Sequence, residues 1–226
     1  MWQLIAMALA SPVVAPAPVP APAPPPPPSV DFSIGGVALT MPLPPGYCIP
    51  TGRDAAVAQL VAAGDKGAVT HATLKQCDGS IGAGVNDYTL IKTPTSMLMP
   101  VVDRPTLIKE LGAEFDNPVA VAGYAAAMKK GDAGADLSQV LGTKVEIKGM
   151  IKPLGHDDVC AYMGGQVNVT GAGISYLQPT GVCITSVGGK VVTIARYGKD
   201  LAPAAIATLL RGARAIAQSM RTVRAK

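Results

Sequence analysis

The stretch that decides the fold is Gly181–Val223, which reads GVCITSVGGKVVTIARYGKDLAPAAIATLLRGARAIAQSMRTV. It begins with two runs rich in β-branched residues, Val182–Val187 and Val191–Tyr197, and these runs are separated by Gly188-Gly189. Two adjacent glycines supply the positive φ angles that a tight hairpin turn requires. The two runs therefore predict an antiparallel hairpin.

The hairpin leads into a segment with helical periodicity. After Asp200, apolar residues recur at steps of three and four: Ile206, Leu209, Leu210, Ala213, Ile216, Ala217, Met220 and Val223. This spacing predicts a long amphipathic helix with one buried stripe. Because a hairpin with apolar residues on both faces needs a cover, we expect the C-terminal helix to pack on the sheet.

The first thirty residues differ in composition from the rest of the chain. Residues 1–10 are largely apolar and end in Ala8-Leu9-Ala10, which matches the small-x-small pattern of a signal peptide, although no Lys or Arg precedes the apolar run. Residues 11–29 are rich in Pro, Ala and Val and close in Pro24–Pro28, which predicts an extended linker. A disordered apolar tail is the alternative for the first run, and Pro12 makes that run too short to span a membrane.

We therefore expect an exported protein, periplasmic or extracellular, that meets a membrane only if its N-terminus stays uncleaved. Residues 30–226 are long enough for a single α+β domain. The four cysteines suit an oxidising compartment, and none forms a Cys-x-x-Cys pair. We expect two structural disulfides and propose Cys48 with Cys77 and Cys160 with Cys183. Peptide mapping without reduction distinguishes this pairing from a crossed one.

The remaining elements follow from local patterns. Before the hairpin, the predicted strands are Phe32–Met41 with an interruption at Gly35-Gly36, Val69–Gln76, Tyr88–Thr93, Lys144–Ile151, Val159–Met163, Gln166–Thr170 and Ile174–Leu177. The predicted helices begin after Thr51, at Pro105 and after Asn117, with a short turn at Asp136–Leu141. Gly164-Gly165 and Gly171–Gly173 are interpreted as tight turns. The fold class predicted is α+β, an antiparallel sheet meander covered by helices.

An early strand and helix, a central helical insertion, a meander and a C-terminal helix on the sheet make an order that resembles the PsbP/Mog1-like α/β group. The segment Ile151-Lys152-Pro153-Leu154-Gly155 and the strand and helix in Val191–Met220 are also similar to uncharacterised secreted bacterial proteins. The resemblance covers most of residues 30–226. It implies an accessory or binding role and carries over no catalytic residue.

The densest group of candidate ligands or catalytic side chains is His156-Asp157-Asp158, followed by Cys160. His156 could act as a base that a neighbouring carboxylate orients, and His71 could join it only through the fold. The alternative is a solvated turn between two strands, because consecutive strand residues point to opposite faces and do not converge on a metal. The sequence contains neither Gly-x-Ser-x-Gly nor a phosphate-binding Gly-x-x-x-x-Gly-Lys-Ser/Thr loop.

The charge pattern gives no sign of a nucleic-acid partner. The formal net charge is +4, and the cations near the C-terminus include Arg211, Arg214, Arg221 and Arg224. Since no aromatic residues interleave with them, we interpret them as an exposed helix end. Tyr47 and Tyr176 could serve a partner, although packing is the commoner use of tyrosine.

We therefore expect no cofactor and no metal. The predicted function is a non-catalytic binding or accessory module whose partner is an envelope protein or a small ligand. The alternative is an envelope hydrolase built on His156, Asp157 and Asp158.

Overall fold

The computed structural model describes residues 27–81, 87–130, 133–171 and 173–223. The strands are β1 (Ser29–Ile34), β2 (Val37–Pro42), β3 (Tyr47–Cys48), β4 (Ala68–Gln76), β5 (Tyr88–Pro94), β6 (Val145–His156), β7 (Ala161–Gly171), β8 (Ile174–Val187), β9 (Lys190–Tyr197) and β10 (Arg221–Thr222). The helices are α1 (Gly52–Ala63), α2 (Arg104–Phe115), α3 (Pro118–Lys130), α4 (Ala133–Leu141) and α5 (Ala205–Ser219), with a 3₁₀ turn at Thr95–Met97. The predicted signal segment and nearly all of the predicted linker lie outside the described residues, as does Arg224.

The strands form two antiparallel sheets. Seven strands make the larger sheet in the order β3-β4-β5-β9-β8-β7-β6, in which β6 to β9 are a meander of consecutive neighbours. The strands β1, β2 and β10 make a small second sheet. The predicted fold class, a helix-covered antiparallel meander, is confirmed.

The C-terminal hairpin and helix also have the predicted form. β8 and β9 join through Gly188 and Gly189, whose φ angles are 59° and 78°, and α5 packs across both strands. The helix ends earlier than predicted, because Arg221 and Thr222 pair with β2 instead of continuing the helix. Val223 is consequently 46% exposed and lies outside the buried stripe.

Both faces of the large sheet are covered. On one face, α5 and the small sheet bury a cluster that includes Leu39, Ile194 and Ala217. On the opposite face, Phe115 of α2 packs against a cluster that includes Val182. No helix in the described ranges combines the length and apolarity needed to cross a membrane.

Several predicted boundaries are wrong. Phe32–Met41 is not one interrupted strand but the hairpin β1–β2, which turns at Gly35-Gly36. The two segments that were predicted on either side of Gly164-Gly165 form a single strand, β7, which crosses the pair without a turn. A Cβ atom on Gly165 would lie 1.9 Å from the carbonyl oxygen of Met150 in β6. The glycine therefore permits a close approach of strands. Likewise, Ile174–Leu177 and Val182–Val187 are parts of one strand, β8.

The helix caps differ in how they use their acidic residues. Asp103 caps α2 as its position suggests, because its carboxylate accepts the N–H of Thr106 at 2.9 Å. Thr51 makes no side-chain cap for α1. The Asp54 carboxylate, in the first turn of α1, pairs with Lys75 at 3.0 Å and accepts the N–H of Ile81.

The structure joins Cys48 to Cys77 and Cys160 to Cys183, which is the pairing that was predicted. Cys160 and Cys183 are fully buried in the core cluster beneath α5. Cys48 is half-buried and Cys77 is exposed. The first bond therefore fixes a surface connection, whereas the second lies inside the core.

Candidate functional site

The candidate triplet lies at the junction of β6 and β7. His156 is the exposed last residue of β6, and Asp157 and Asp158 form the turn that follows. The imidazole of His156 lies against α2, since a Cβ atom on Gly112 would be 2.6 Å from its Nε2 atom. The 85% exposure of the Asp158 side chain fits a solvated turn.

His71 lies elsewhere. Its Nε2 atom is 3.0 Å from the hydroxyl of Thr93, and its ring stacks on Phe32 at 5.7 Å between centroids. Because the Thr93 hydroxyl donates to the carbonyl of Val191, its oxygen can accept a hydrogen bond from the Nε2–H group of His71. Burial lowers the pKa of His71. Phe32 packs on the α5 side of the sheet and His156 on the α2 side, so the fold does not bring the histidines together.

The Asp157 carboxylate is surrounded by donors. One oxygen accepts the N–H groups of Val159 and Cys160 at 2.8 Å each. The other accepts the Tyr162 hydroxyl at 2.7 Å and the Nε–H of Arg214 at 2.6 Å. Burial alone would raise the pKa of Asp157, but the hydrogen bonds, led by Arg214, outweigh it and lower the pKa to about 2. Since Arg214 belongs to α5, this carboxylate fastens the C-terminal helix to the turn.

The bonds of Asp157 to Arg214 and to the turn form a clamp on α5, and this clamp predicts a loss of stability in acid. The folded pKa of Asp157 lies below its ordinary value of 3.8, so its contribution is present above about pH 4 and is lost as the pH falls towards 2. Because the side chain is 33% exposed, we expect it to contribute only about 1 kcal/mol to the free energy of unfolding. Denaturant unfolding of Asp157→Asn and the wild type should differ at pH 6 and converge near pH 2.

Asp158→Asn is the matched control, since Asp158 makes one contact of 3.1 Å with the same Arg214 but is mostly exposed. It should change stability by no more than a few tenths of a kcal/mol at either pH. An Asp157→Asn variant as stable as the wild type at pH 6 would contradict the clamp.

A cleft of about 480 Å³ lies on the α5 side of the large sheet. One wall is Pro42–Pro45, which follows β2, and the other is the face of α5 that carries Gly212, Ala215 and Ile216. The volume is in the range of small-molecule sites. The walls are mainly apolar, and the polar groups are few.

The wall formed by Pro42–Pro45 owes its path to the missing N–H groups of its prolines and to two backbone hydrogen bonds. Pro42, Pro44 and Pro45 have no N–H to donate, so the chain leaves the β-ladder at this point. The N–H of Leu43 donates to the carbonyl of Pro28 at 2.8 Å, and the N–H of Tyr47 donates to Pro44 at 3.0 Å. These bonds hold the wall as a short ordered arch.

The cleft is lined by three polar side chains, Tyr47, Arg196 and Ser219, the last of which donates to the carbonyl of Ile216 at 2.8 Å. The Cys48–Cys77 bond anchors β3, which carries Tyr47. The Arg196 guanidinium donates through Nη2 to the Tyr47 hydroxyl and lies over the ring, with Cζ 5.1 Å from the centroid. Gly212 makes room for it, because a Cβ atom there would be 1.4 Å from Nη1. The cation is thus held in one position between a strand and a helix.

Two buried polar atoms near the cleft have no hydrogen-bond partner among the described residues. They are Nε of Arg196 and the hydroxyl oxygen of Thr89. Thr89 of β5 is directly opposite Arg196 of β9 in the antiparallel register, so both side chains leave the same face of the sheet. An unsatisfied buried polar group costs roughly 1–3 kcal/mol. The end of this face therefore carries unused hydrogen-bonding capacity.

Thr89→Val is expected to stabilise the protein by about 1 kcal/mol. Valine has nearly the shape of threonine, and Thr89 is fully buried with its hydroxyl unpartnered. The measurement is the free energy of unfolding in denaturant. Thr185→Val is the control, since its hydroxyl donates to the Val159 carbonyl at 2.6 Å and its loss should destabilise. A destabilised Thr89→Val variant would mean that the hydroxyl has a partner.

Tyr47 was predicted as a possible contact for a partner, whereas Arg196 was not predicted as a site residue. The available signal was its position in β9. Val192 and Ile194 are buried on the α5 side, and Arg196 continues their alternation. A charged residue at a strand position whose side chain points towards the core is unusual and indicates a specific role.

The fold and the cleft define a class: an α+β protein with a helix-covered antiparallel sheet and a small apolar cleft that contains one fixed cation. Among the described residues, no three His, Cys, Asp or Glu side chains are grouped to hold a metal ion. No family model and no curated protein matches the chain.

Among solved structures, the chain is similar to cyanobacterial PsbP from Synechocystis sp. PCC 6803. The identity is 14%, the match covers 86% of this chain and 92% of that chain, and the TM-score is 0.32. A likeness this distant assigns the chain neither to a family nor to a function.

Proposed function

We propose that this protein is an exported, non-catalytic binding module that takes a small ligand with an apolar body in the cleft between Pro42–Pro45 and α5. The observation that carries the proposal is the cleft itself, about 480 Å³ in volume, whose mainly apolar walls flank one positioned cation. Concave apolar sites with a few converging polar groups are the usual form of small-molecule sites.

The hydrolase alternative has less support. The oxygens of Asp157 are engaged by Arg214, Tyr162 and two backbone N–H groups. His156 lies against α2 and not in the cleft. An acid–base pair needs the carboxylate within hydrogen-bond reach of the imidazole, and the described contacts direct these two side chains elsewhere.

Nuclear magnetic resonance titration tests the binding proposal. The probes are octanoate and octan-1-ol, which share one apolar chain. With the isotope-labelled protein, at least one probe should shift the amide signals of Leu43, Tyr47 and the second half of α5, and the shifts should saturate.

Ala215→Trp should abolish these shifts, because Ala215 lines the cleft and the indole would fill it. Ala207→Trp is the matched control, since Ala207 is an exposed alanine of the same helix outside the lining. It should leave binding intact. If neither probe shifts the cleft signals, or if Ala215→Trp binds as the wild type does, the proposal is wrong.

The proposed export has its own test. The only tryptophan of the chain is Trp2, within the predicted signal segment. Removal of that segment would leave a mature protein with tyrosine emission only. Tryptophan emission from protein purified out of the envelope fraction would contradict cleavage and would indicate an N-terminus retained as an anchor.

A further inference from the structure

We propose that the ligand of the cleft is a small monocarboxylic acid, whose carboxylate binds Arg196 while its apolar body lies between the proline wall and α5. This inference rests on the proposed function and names its chemical class. The geometry points to it through three properties of Arg196: its missing counter-ion, its free donor and its fixed position.

Arg196 is a part-buried cation without an acidic partner. None of the ion pairs among the described residues includes it, whereas Arg214 of the neighbouring helix holds both Asp157 and Asp158. The Arg196 side chain instead uses one amine on the neutral Tyr47 hydroxyl. A charge removed from water is costly unless it is paired, so an anion in the cleft would supply the missing partner.

The donor that remains suits a carboxylate. Nε of Arg196 is buried out of reach of the cleft, but Nη1 has no hydrogen-bond partner among the described residues and is not one of the buried atoms. The Nη1 and Nη2 groups form one edge of the planar guanidinium, and such an edge matches two carboxylate oxygens. A single cation balances a single negative charge. A phosphate monoester would bring a second charge among apolar walls, where its desolvation is unfavourable. The site therefore favours a monoanion.

The position of the guanidinium is fixed before the ligand arrives. It lies 5.1 Å from the centre of the Tyr47 ring, and the missing side chain of Gly212 leaves room for Nη1 beneath α5. A cation held in this way loses little freedom when it binds, which improves affinity. Adding one methyl group at position 212 would displace the guanidinium while improving the helix propensity of α5.

The test compares dissociation constants for octanoate and octan-1-ol, with octyl phosphate as a third probe, on the full chain. Wild type should bind octanoate at least about tenfold more tightly than octan-1-ol, as expected for a hydrogen-bonded charge pair. Arg196→Met should remove that preference and retain binding of the alcohol. Gly212→Ala should fold at least as stably as the wild type and should also lose most of the preference for octanoate. This second variant keeps the test decisive if Arg196→Met folds poorly.

Arg211→Met is the matched control, because Arg211 is an exposed arginine of α5 whose side chain hydrogen-bonds to Thr208 of the same helix and does not line the cleft. It should keep the full preference, which excludes a general attraction of anions to a positively charged protein. Equal affinities of the wild type for acid and alcohol, or a preference for octyl phosphate, would overturn this inference and leave the binding function standing. If none of the three probes bound in the cleft, both this inference and the proposed binding function would be wrong.

Discussion

Gly165→Ala is expected to lower the free energy of unfolding by about 3 kcal/mol or more, the upper end of the cost of overpacking. Gly165 pairs with Ile151 in the middle of the β6–β7 ladder. A Cβ atom at this position would lie 1.9 Å from the Met150 carbonyl oxygen and 2.9 Å from its carbon. These are backbone atoms, so the clash can be relieved only by moving the two strands apart.

Gly123→Ala is the control for this experiment. Gly123 lies in α3, and a Cβ atom there would meet no heavy atom within 4 Å. Alanine is the better helix former by up to about 1 kcal/mol, so this variant should be stabilised. Denaturant unfolding of both variants measures the contrast. A Gly165→Ala protein within about 1 kcal/mol of the wild type would show that β6 and β7 are not closely paired at this point.

Replacing Cys160 and Cys183 together with alanine should destabilise the protein by about 3 kcal/mol in the chain-entropy model. The bond closes a loop with a sequence separation of 23, and both cysteines are fully buried in the core. Loss of the two sulfur atoms also leaves a small cavity, which adds to the cost. The measurement is the free energy of unfolding of the double variant under conditions that keep the other disulfide intact.

The corresponding Cys48 and Cys77 double variant separates loop entropy from packing. Its separation of 29 gives a similar entropic term, but Cys77 is exposed and little packing is lost. We expect this variant to be the more stable of the two and to show weaker binding in the cleft, because the bond anchors β3 beside Tyr47. If it proved the less stable variant, burial of Cys160 and Cys183 would not contribute as argued.

Elements with a strong local pattern were predictable from the sequence, since such a pattern is visible within a few residues. The β-branched runs on either side of Gly188-Gly189 predicted the hairpin β8–β9, and the three- and four-residue steps after Asp200 predicted α5. Whether a pair of glycines marks a turn or lies within a strand was harder to predict. Gly35-Gly36 and Gly188-Gly189 are turns, whereas Gly164-Gly165 lies within a strand because of the strand and helix that pack on it.

The sequence by itself therefore determined the antiparallel meander with its C-terminal helix, because local alternation and helical period already record which residues face a core. Only the tertiary structure decided where a ligand could bind. The cleft is assembled from Pro42–Pro45, Arg196 and one face of α5, and the proline segment is distant along the chain from the other two. Whether a buried donor such as Nε of Arg196 has a partner depends on every neighbour in space. No local pattern encodes that relation, because hydrogen-bond satisfaction is a property of the packed molecule.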